Sequence, residues 1–375
     1  MAAAAGLALP AEPRGPDRDG FRLVVLQLSG GNDGLNTVVP HADDRYHAAR
    51  PTTRVPAERV LRIDDRRGFH PLLEGLRRTY ERGQLAVVEG VGYPEPNRSH
   101  FASLDVWHAA SSRGRARGDG WLAQLAAAAG GHPPVHVGER PPFSLYSPAS
   151  PGLALRDPER YRWDWNGEAI GTAAERGVVG PGTQVARVRR AFLQARESSA
   201  AIRAAAGRYR PRVDYPDTEL GHALQTVAAL IQEGVDARIL STELAGFDTH
   251  ARQKPRHERL LRCWDGALTA FLADLRGTPR GDRTAVLVFS EFGRRVAENG
   301  SAGTDHGAAG PVFLAGPPVR GGLHGAPPSL ADLDAGDLRF TTDFRSVYAA
   351  LIRDGFGLDP EPILGGSFPA LSLLA

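Results

Sequence analysis

The residues from Leu23 to Leu28 are apolar except for Gln27. Such a run reads as a strand buried on both faces of a parallel sheet. Leu85–Val91, Ala237–Thr242, Thr284–Phe289 and Pro311–Ala315 read the same way. Leu61–Ile63 reads as a short edge strand, and Val135–Val137 and Phe143–Tyr146 as further short strands. Helical periodicity fills the gaps. It predicts helices over 70–82, 99–110, 121–129, 185–209, 218–233, 257–275 and 344–353, the last capped by Asp343. Strands alternating with helices imply an α/β fold, with a mainly parallel central sheet and helices on both faces. Residues 147–182 are rich in Pro, Gly and Trp and lack a period, and so read as an irregular insertion over one end of the sheet.

The polar residues just past the apolar runs carry the chemistry. The first run ends in Ser29-Gly30-Gly31, succeeded by Asn32, Asp33 and Asn36. A carboxylate placed there lies at the C-terminal edge of the sheet, where open α/β sheets hold ligands. The second run leads to Asn97-Arg98-Ser99-His100, which opens a helix. A helix N-terminus favours anions, so Ser99 reads either as a nucleophile or simply as an N-cap. The third leads to Asp248 and His250, two apart, which read as metal ligands or as a cap and a surface residue. The fourth ends in Glu291, whose buried charge needs a metal or Arg294 to offset it. Gly303-Thr304-Asp305-His306-Gly307 reads as a tight loop presenting Asp305 and His306. Taken together, these residues outline a metal centre of Asp, Glu and His with a serine nearby.

Composition narrows the field. A net charge of +2, from 45 basic and 43 acidic residues, points away from nucleic acid. The single cysteine, Cys263, excludes an internal disulfide and a multi-Cys metal site. No stretch approaches a membrane span. Residues 1–20 begin MAAAAGLALP and read as the remnant of an export signal, which implies a location outside the cytoplasm, or as a disordered Ala-rich leader, which implies a cytoplasmic one. Residues 21–375 then form one domain carrying the insertion.

Five segments, LSGGNDGLNTVVP at 28–40, NRSHF at 97–101, GFDTH at 246–250, SEFGR at 290–294 and GTDHG at 303–307, carry a resemblance. In that order the chain resembles the bacterial proteins of unknown function, often exported by the twin-arginine route, of the alkaline-phosphatase-like superfamily. The resemblance implies a metal-dependent hydrolase of phosphate or sulfate esters. Asp33, Asp248, His250, Glu291, Asp305 and His306 then stand as metal ligands and Ser99 as nucleophile. His100 and Arg294 assist catalysis, while Asn32 and Asn36 bind substrate. The implied cofactor is a divalent metal, zinc first, with manganese or calcium as alternatives. The implied partner is a small-molecule or glycan ester, and the oligomeric state stays open. Two departures stand out. Phe292 comes after Glu291 where the superfamily has Asp followed by His, and the middle Asp-to-His spacing is compressed. No Cys or Ser sits in the Cys-x-Pro-x-Arg setting of a matured sulfatase nucleophile. The competing reading is a non-catalytic exported binding or assembly protein on the same fold.

Overall fold

The computed structural model describes residues 20–114, 118–148, 152–158 and 198–375. The expected leader, apart from Gly20, and most of the insertion over 147–182 lie outside these residues. So does the first part of the helix expected over 185–209, which is helical over 198–208.

The apolar runs pair into a nine-stranded sheet. Eight of its strands are β1 (Arg22–Ser29), β2 (Leu85–Gly92), β3 (Val135–Val137), β4 (Leu153–Leu155), β5 (Ile239–Ala245), β6 (Thr284–Phe289), β7 (Gly310–Ala315) and β8 (Gly322–His324). A hairpin of β9 (Leu333–Asp334) and β10 (Asp337–Leu338) stands apart, and the ninth strand of the sheet, β11 (Thr342–Asp343), pairs with β2. Across the sheet the order is β8-β2-β7-β6-β1-β5-β3-β4. β1 is central, with Leu23 in parallel register with Ile239 of β5 and Ala285 of β6. Among these strands only β7 runs the other way, antiparallel to both β6 and β2.

Alternation along β1 sends its side chains into two cores. Val24, Leu26 and Leu28 pack with Leu76 of α3 (Glu74–Glu81), Leu224 of α6 (Glu219–Gln232) and Trp264 of α7 (Gln253–Leu275). Leu23 and Val25 pack on the opposite face, with Trp107 of α4 (His100–Ala109), Trp121 of α5 (Trp121–Ala128) and Tyr348 of α8 (Phe344–Ala350). Trp107 stacks at 5.0 Å on Phe289 and 4.5 Å on Phe344, tying α4 and α8 to β6. Two short helices, α1 (Gly34–Thr37) and α2 (Asp44–Ala49), come after β1.

β6 and β7 lie between β1 and β2. The architecture is the mixed α/β one that the pattern implies, with two local differences. Phe143–Leu145 forms a 3-10 turn instead of a strand. Pro141 and Pro142 precede it, and proline supplies no ladder donor. α7 begins at Gln253 instead of His257, because Pro255 falls in its first turn, where proline is tolerated. No described helix is long and apolar enough to cross a membrane.

Candidate metal centre

Three adjacent parallel strands, β6, β1 and β5, deliver loops to one edge. β1 ends in Gly30 and Gly31, both at positive φ (115° and 73°). A Cβ on Gly30 would collide with the backbone of Asp248, and one on Gly31 with the ring of Phe292. The glycines thus let the loops after β1, β5 and β6 close on one another. Gly30→Ala is expected to cost roughly 1–3 kcal/mol through strain and displacement of the Asp248 loop. A thermal unfolding midpoint unchanged from wild type would refute this.

The loop before β7 reaches the same edge because that strand is reversed. Asp305 and His306 therefore precede a strand where the sequence placed them after one. A bridge between Arg294 and His306 holds this loop against the one leaving β6. His100 arrives from across β7, in the first turn of α4 after β2.

Four side chains converge here. Oδ1 of Asp248 lies 3.1 Å from Nε2 of His306, 3.0 Å from Nε2 of His250 and 3.4 Å from Nε2 of His100. His250 Nε2 is 2.9 Å from His306 Nε2. Nε2 of His100 is buried and has no hydrogen-bond partner.

The opposite nitrogen of each ring is anchored. Nδ1 of His100 faces Glu291 Oε1 at 2.7 Å, Nδ1 of His250 faces Asp305 Oδ1 at 3.2 Å, and Nδ1 of His306 faces the Arg98 carbonyl at 2.7 Å. A carbonyl oxygen only accepts, and so does an ionised carboxylate. Nδ1 therefore carries the proton in each ring, and three Nε2 lone pairs point inward at a carboxylate. Such a set repels itself unless a proton or a metal cation sits within it. Tetrahedral zinc, with bonds near 2.0–2.1 Å, sets donors about 3.3 Å apart, close to the four spacings above, and the donor atoms of His100, Asp248 and His306 all lie within 4.8 Å of one another. Imidazole-rich sets suit zinc better than manganese, and calcium takes six to eight oxygens. The residues present thus fit a zinc-like ion and fit calcium poorly.

The surroundings hold the set in place. Phe292 packs its ring 4.8 Å from both His100 and His306. Glu291 is buried, accepts from the Gly30 N–H at 2.9 Å and from the Ser290 hydroxyl at 3.1 Å, and raises the pKa of His100 through their hydrogen bond. The side chain that pairs with Glu291 is thus His100 instead of Arg294. Burial pushes the Asp248 carboxyl up, but the Arg294 guanidinium, which donates to Oδ1 at 2.9 Å, outweighs this and holds it well below the usual carboxylate range.

Several expected site residues serve elsewhere. Asp33 caps α1 and is completely buried against Arg50, with Nη1 2.6 Å from its Oδ2. Gln253 also donates to Asp33. With its oxygens committed in this way, Asp33 stands outside the converging group. Asn36 donates to the Thr53 carbonyl and accepts from Tyr46 and Arg50. Asn32 exchanges hydrogen bonds with Thr37 and faces His257 Nε2 at 2.9 Å. Both asparagines are buried, with their side-chain amides committed to protein partners. Arg294 is buried too. Its Nε donates to Gly31 O, Nη1 to Thr304 O, and Nη2 to Gly30 O, Phe247 O and Asp248. It clamps three loops, each of its nitrogens donating to a protein acceptor. Glu291 and Asp305 orient imidazoles instead of joining the inner set.

Ser99 is the N-cap of α4, exposed, and its hydroxyl makes no capping bond. Arg50, Gln253 and Asn299, which donates to Asp305 at 3.1 Å, went unread in the sequence. No spacing signal marks Arg50 or Gln253, whose shared partner Asp33 is distant in the chain, and Asn299 lies in an irregular loop with no period. A separate cavity of about 490 Å³, lined by Leu35, Arg67, Glu89, Pro311 and Leu330, includes none of the four converging side chains.

Comparison with known proteins reaches part of this site. A family model described as "Protein of unknown function (DUF1501)" matches residues 172–355. No curated protein matches. Among solved structures, the chain is similar to the C-terminal periplasmic domain of EcEptC from Escherichia coli in complex with Zn. That match has 10% identity, a TM-score of 0.39, and covers 82% of this chain and 77% of that one. It is also similar to a phosphonate monoester hydrolase from Silicibacter pomeroyi, with 11% identity, a TM-score of 0.42 and coverages of 92% and 77%. A third is the PsFucS1 sulfatase from Pseudoalteromonas sp., with 10% identity, a TM-score of 0.43 and coverages of 95% and 72%.

Proposed function

We propose that the chain is a metal-dependent hydrolase of phosphate or sulfate esters. The observation that carries this reading is the convergence of three Nε2 atoms and the Asp248 carboxylate, each imidazole anchored through Nδ1. His100, Asp248 and His306 hold the metal, and His250 closes the half-exposed side. When bound, the metal supplies positive charge against the negative charge building on the transferred group.

Ser99 is the nucleophile in this reading. It stands beside His100, exposed, and without a capping bond that would tie up its hydroxyl. Its Oγ bonds to phosphorus or sulfur as the ester alcohol leaves. Water then frees Ser99 and releases the inorganic acid. Glu291 and the Arg98 carbonyl keep the His100 and His306 rings in register throughout. The substrate is a small-molecule or glycan ester, and an extracytoplasmic location belongs to the same proposal.

The four donors also favour a second reading. Structural zinc sites are closed by four protein ligands, whereas catalytic ones keep a position open. If His250 remains bound, the chain is a non-catalytic binding or assembly protein. Ser99→Ala separates the two. A hydrolase should lose at least ~100-fold in turnover of an aryl phosphate or aryl sulfate while its zinc content stays unchanged. Wild-type protein fully loaded with zinc, yet inactive on both esters, would favour the second reading.

A further inference from the structure

The hairpin β9–β10 lies far along the chain from the metal centre, yet it is joined to it by one buried carboxylate. Asp337 of β10 has a side chain only 3% exposed. One oxygen, Oδ2, receives the guanidinium of Arg98. The other, Oδ1, lies 3.5 Å from Nε of Arg295 and has no hydrogen-bond partner. Both arginines flank His306. The carbonyl of Arg98 is the acceptor that holds His306 Nδ1 at 2.7 Å. The backbone N–H of Arg295 donates to the carbonyl of Asp305, the residue before His306, at 3.0 Å. Asp337 thus ties together the two backbone segments between which the His306 ring is set.

This matters because the Arg98 anchor is a backbone carbonyl in an exposed loop. Its position depends on what holds Arg98. Asn97 caps the turn through the Ser99 N–H at 2.8 Å, but that bond sits on the chain beyond Arg98. The direct tether of the Arg98 side chain is Asp337. A buried carboxylate between two partly exposed guanidiniums costs desolvation, and one salt bridge rarely repays it in stability. A positioning role accounts for that cost.

We infer that Asp337 is a positioning residue for the metal centre, acting on His306 through Arg98 and Arg295. The inference rests on the metal reading proposed above. Loss of an outer partner of a ligating histidine typically weakens metal binding 10–100-fold.

The test is a zinc affinity cycle on the full chain, read by competition with a chromogenic chelator. The proteins are wild type, Asp337→Asn, His306→Ala and the double variant. Asp337→Asn should weaken zinc binding by ~10–100-fold. Arg98→Met, which keeps the carbonyl but removes the tether, should do the same and serves if Asp337→Asn folds poorly. In the His306→Ala background the Asp337 change should have no further effect, since coupled residues are non-additive. An undiminished affinity in both single tether variants would overturn the inference. So would an equal loss with and without His306, which is what general loosening gives. A His306→Ala protein that binds zinc as tightly as wild type overturns the metal reading itself.

Discussion

Asp248→Ala is expected to empty the metal centre. Its Oδ1 is the one atom within reach of all three Nε2 nitrogens, at 3.0, 3.1 and 3.4 Å. Among the described residues it is also the only negative charge directly facing them. Removing it leaves three neutral imidazoles beside the buried guanidinium of Arg294, a setting that repels a divalent cation. The loss should exceed the ~10–100-fold typical of an outer partner, and ester turnover should fall with it. Asp248 is half-exposed, and Arg294 keeps four backbone carbonyls. The fold should therefore survive. Metal content after dialysis and circular dichroism check both halves. Full zinc occupancy in the variant would remove Asp248 from the site.

The second large effect is on stability and lies behind the site. Arg50→Ala would leave Asp33 ionised, wholly buried and without its cation, because neither side chain is exposed. Breaking such a pair costs roughly 3–5 kcal/mol. The guanidinium also donates to the Val296 and Arg295 carbonyls at 2.9 Å each, so the loop leaving β6 would lose its tie to α2. Denaturant titration should show a lower midpoint, and a shift below about 1 kcal/mol would mean that water or Gln253 takes the place of Arg50.

Acid should produce a related loss. Burial pushes the Asp33 carboxyl up, but Arg50, His257 and Gln253 outweigh it and hold the folded pKa below the ordinary value. In the unfolded chain Asp33 takes up its proton near pH 3.9. Its contribution is therefore complete above that pH and declines as the pH falls through the folded value. Wild type should lose stability in that acid range more steeply than the Arg50 variant.

Much of the scaffold was legible because its central strands are apolar on both faces. Leu23–Leu28 and Thr284–Phe289 admit no other comfortable reading, and they lie side by side at the centre of the sheet. Strand direction was not legible. PVFLA reads equally well either way, and only pairing with β2 and β6 reverses it. Much of the site could be located by the rule that polar groups after buried strands gather at one rim. Asp248, His250, His306 and Glu291 all lie just after or just before such strands.

The roles of these residues were harder to read. Glu291 and His100 touch, and which of them faces inward depends on side-chain direction, which spacing does not encode. Asp33 comes after two glycines at a strand end, just as a ligand would. Its true partner, Arg50, lies beyond two short helices, α1 and α2, in a segment with no periodic signal. Arg294 was identified as important on good grounds, but a guanidinium that donates to three separate loops cannot be told from a substrate-binding one by sequence alone.

The reversed strand constrains how this protein can vary. Residues 290–309 depart from β6 and return into β7 on a single rim, and the Arg294–His306 bridge staples the two feet of the excursion. Length changes outside that staple would shift His306 relative to Glu291, and changes near Gly300 would disturb His250, because Asn299 donates to Asp305 and to the His250 carbonyl, and Ser301 and Ala302 accept from the Arg252 and Gln253 N–H groups. The opposite rim, where α7 passes to β6 through residues 276–283, carries none of the four converging side chains. Insertions and deletions among relatives should therefore crowd onto that far rim and spare the whole excursion.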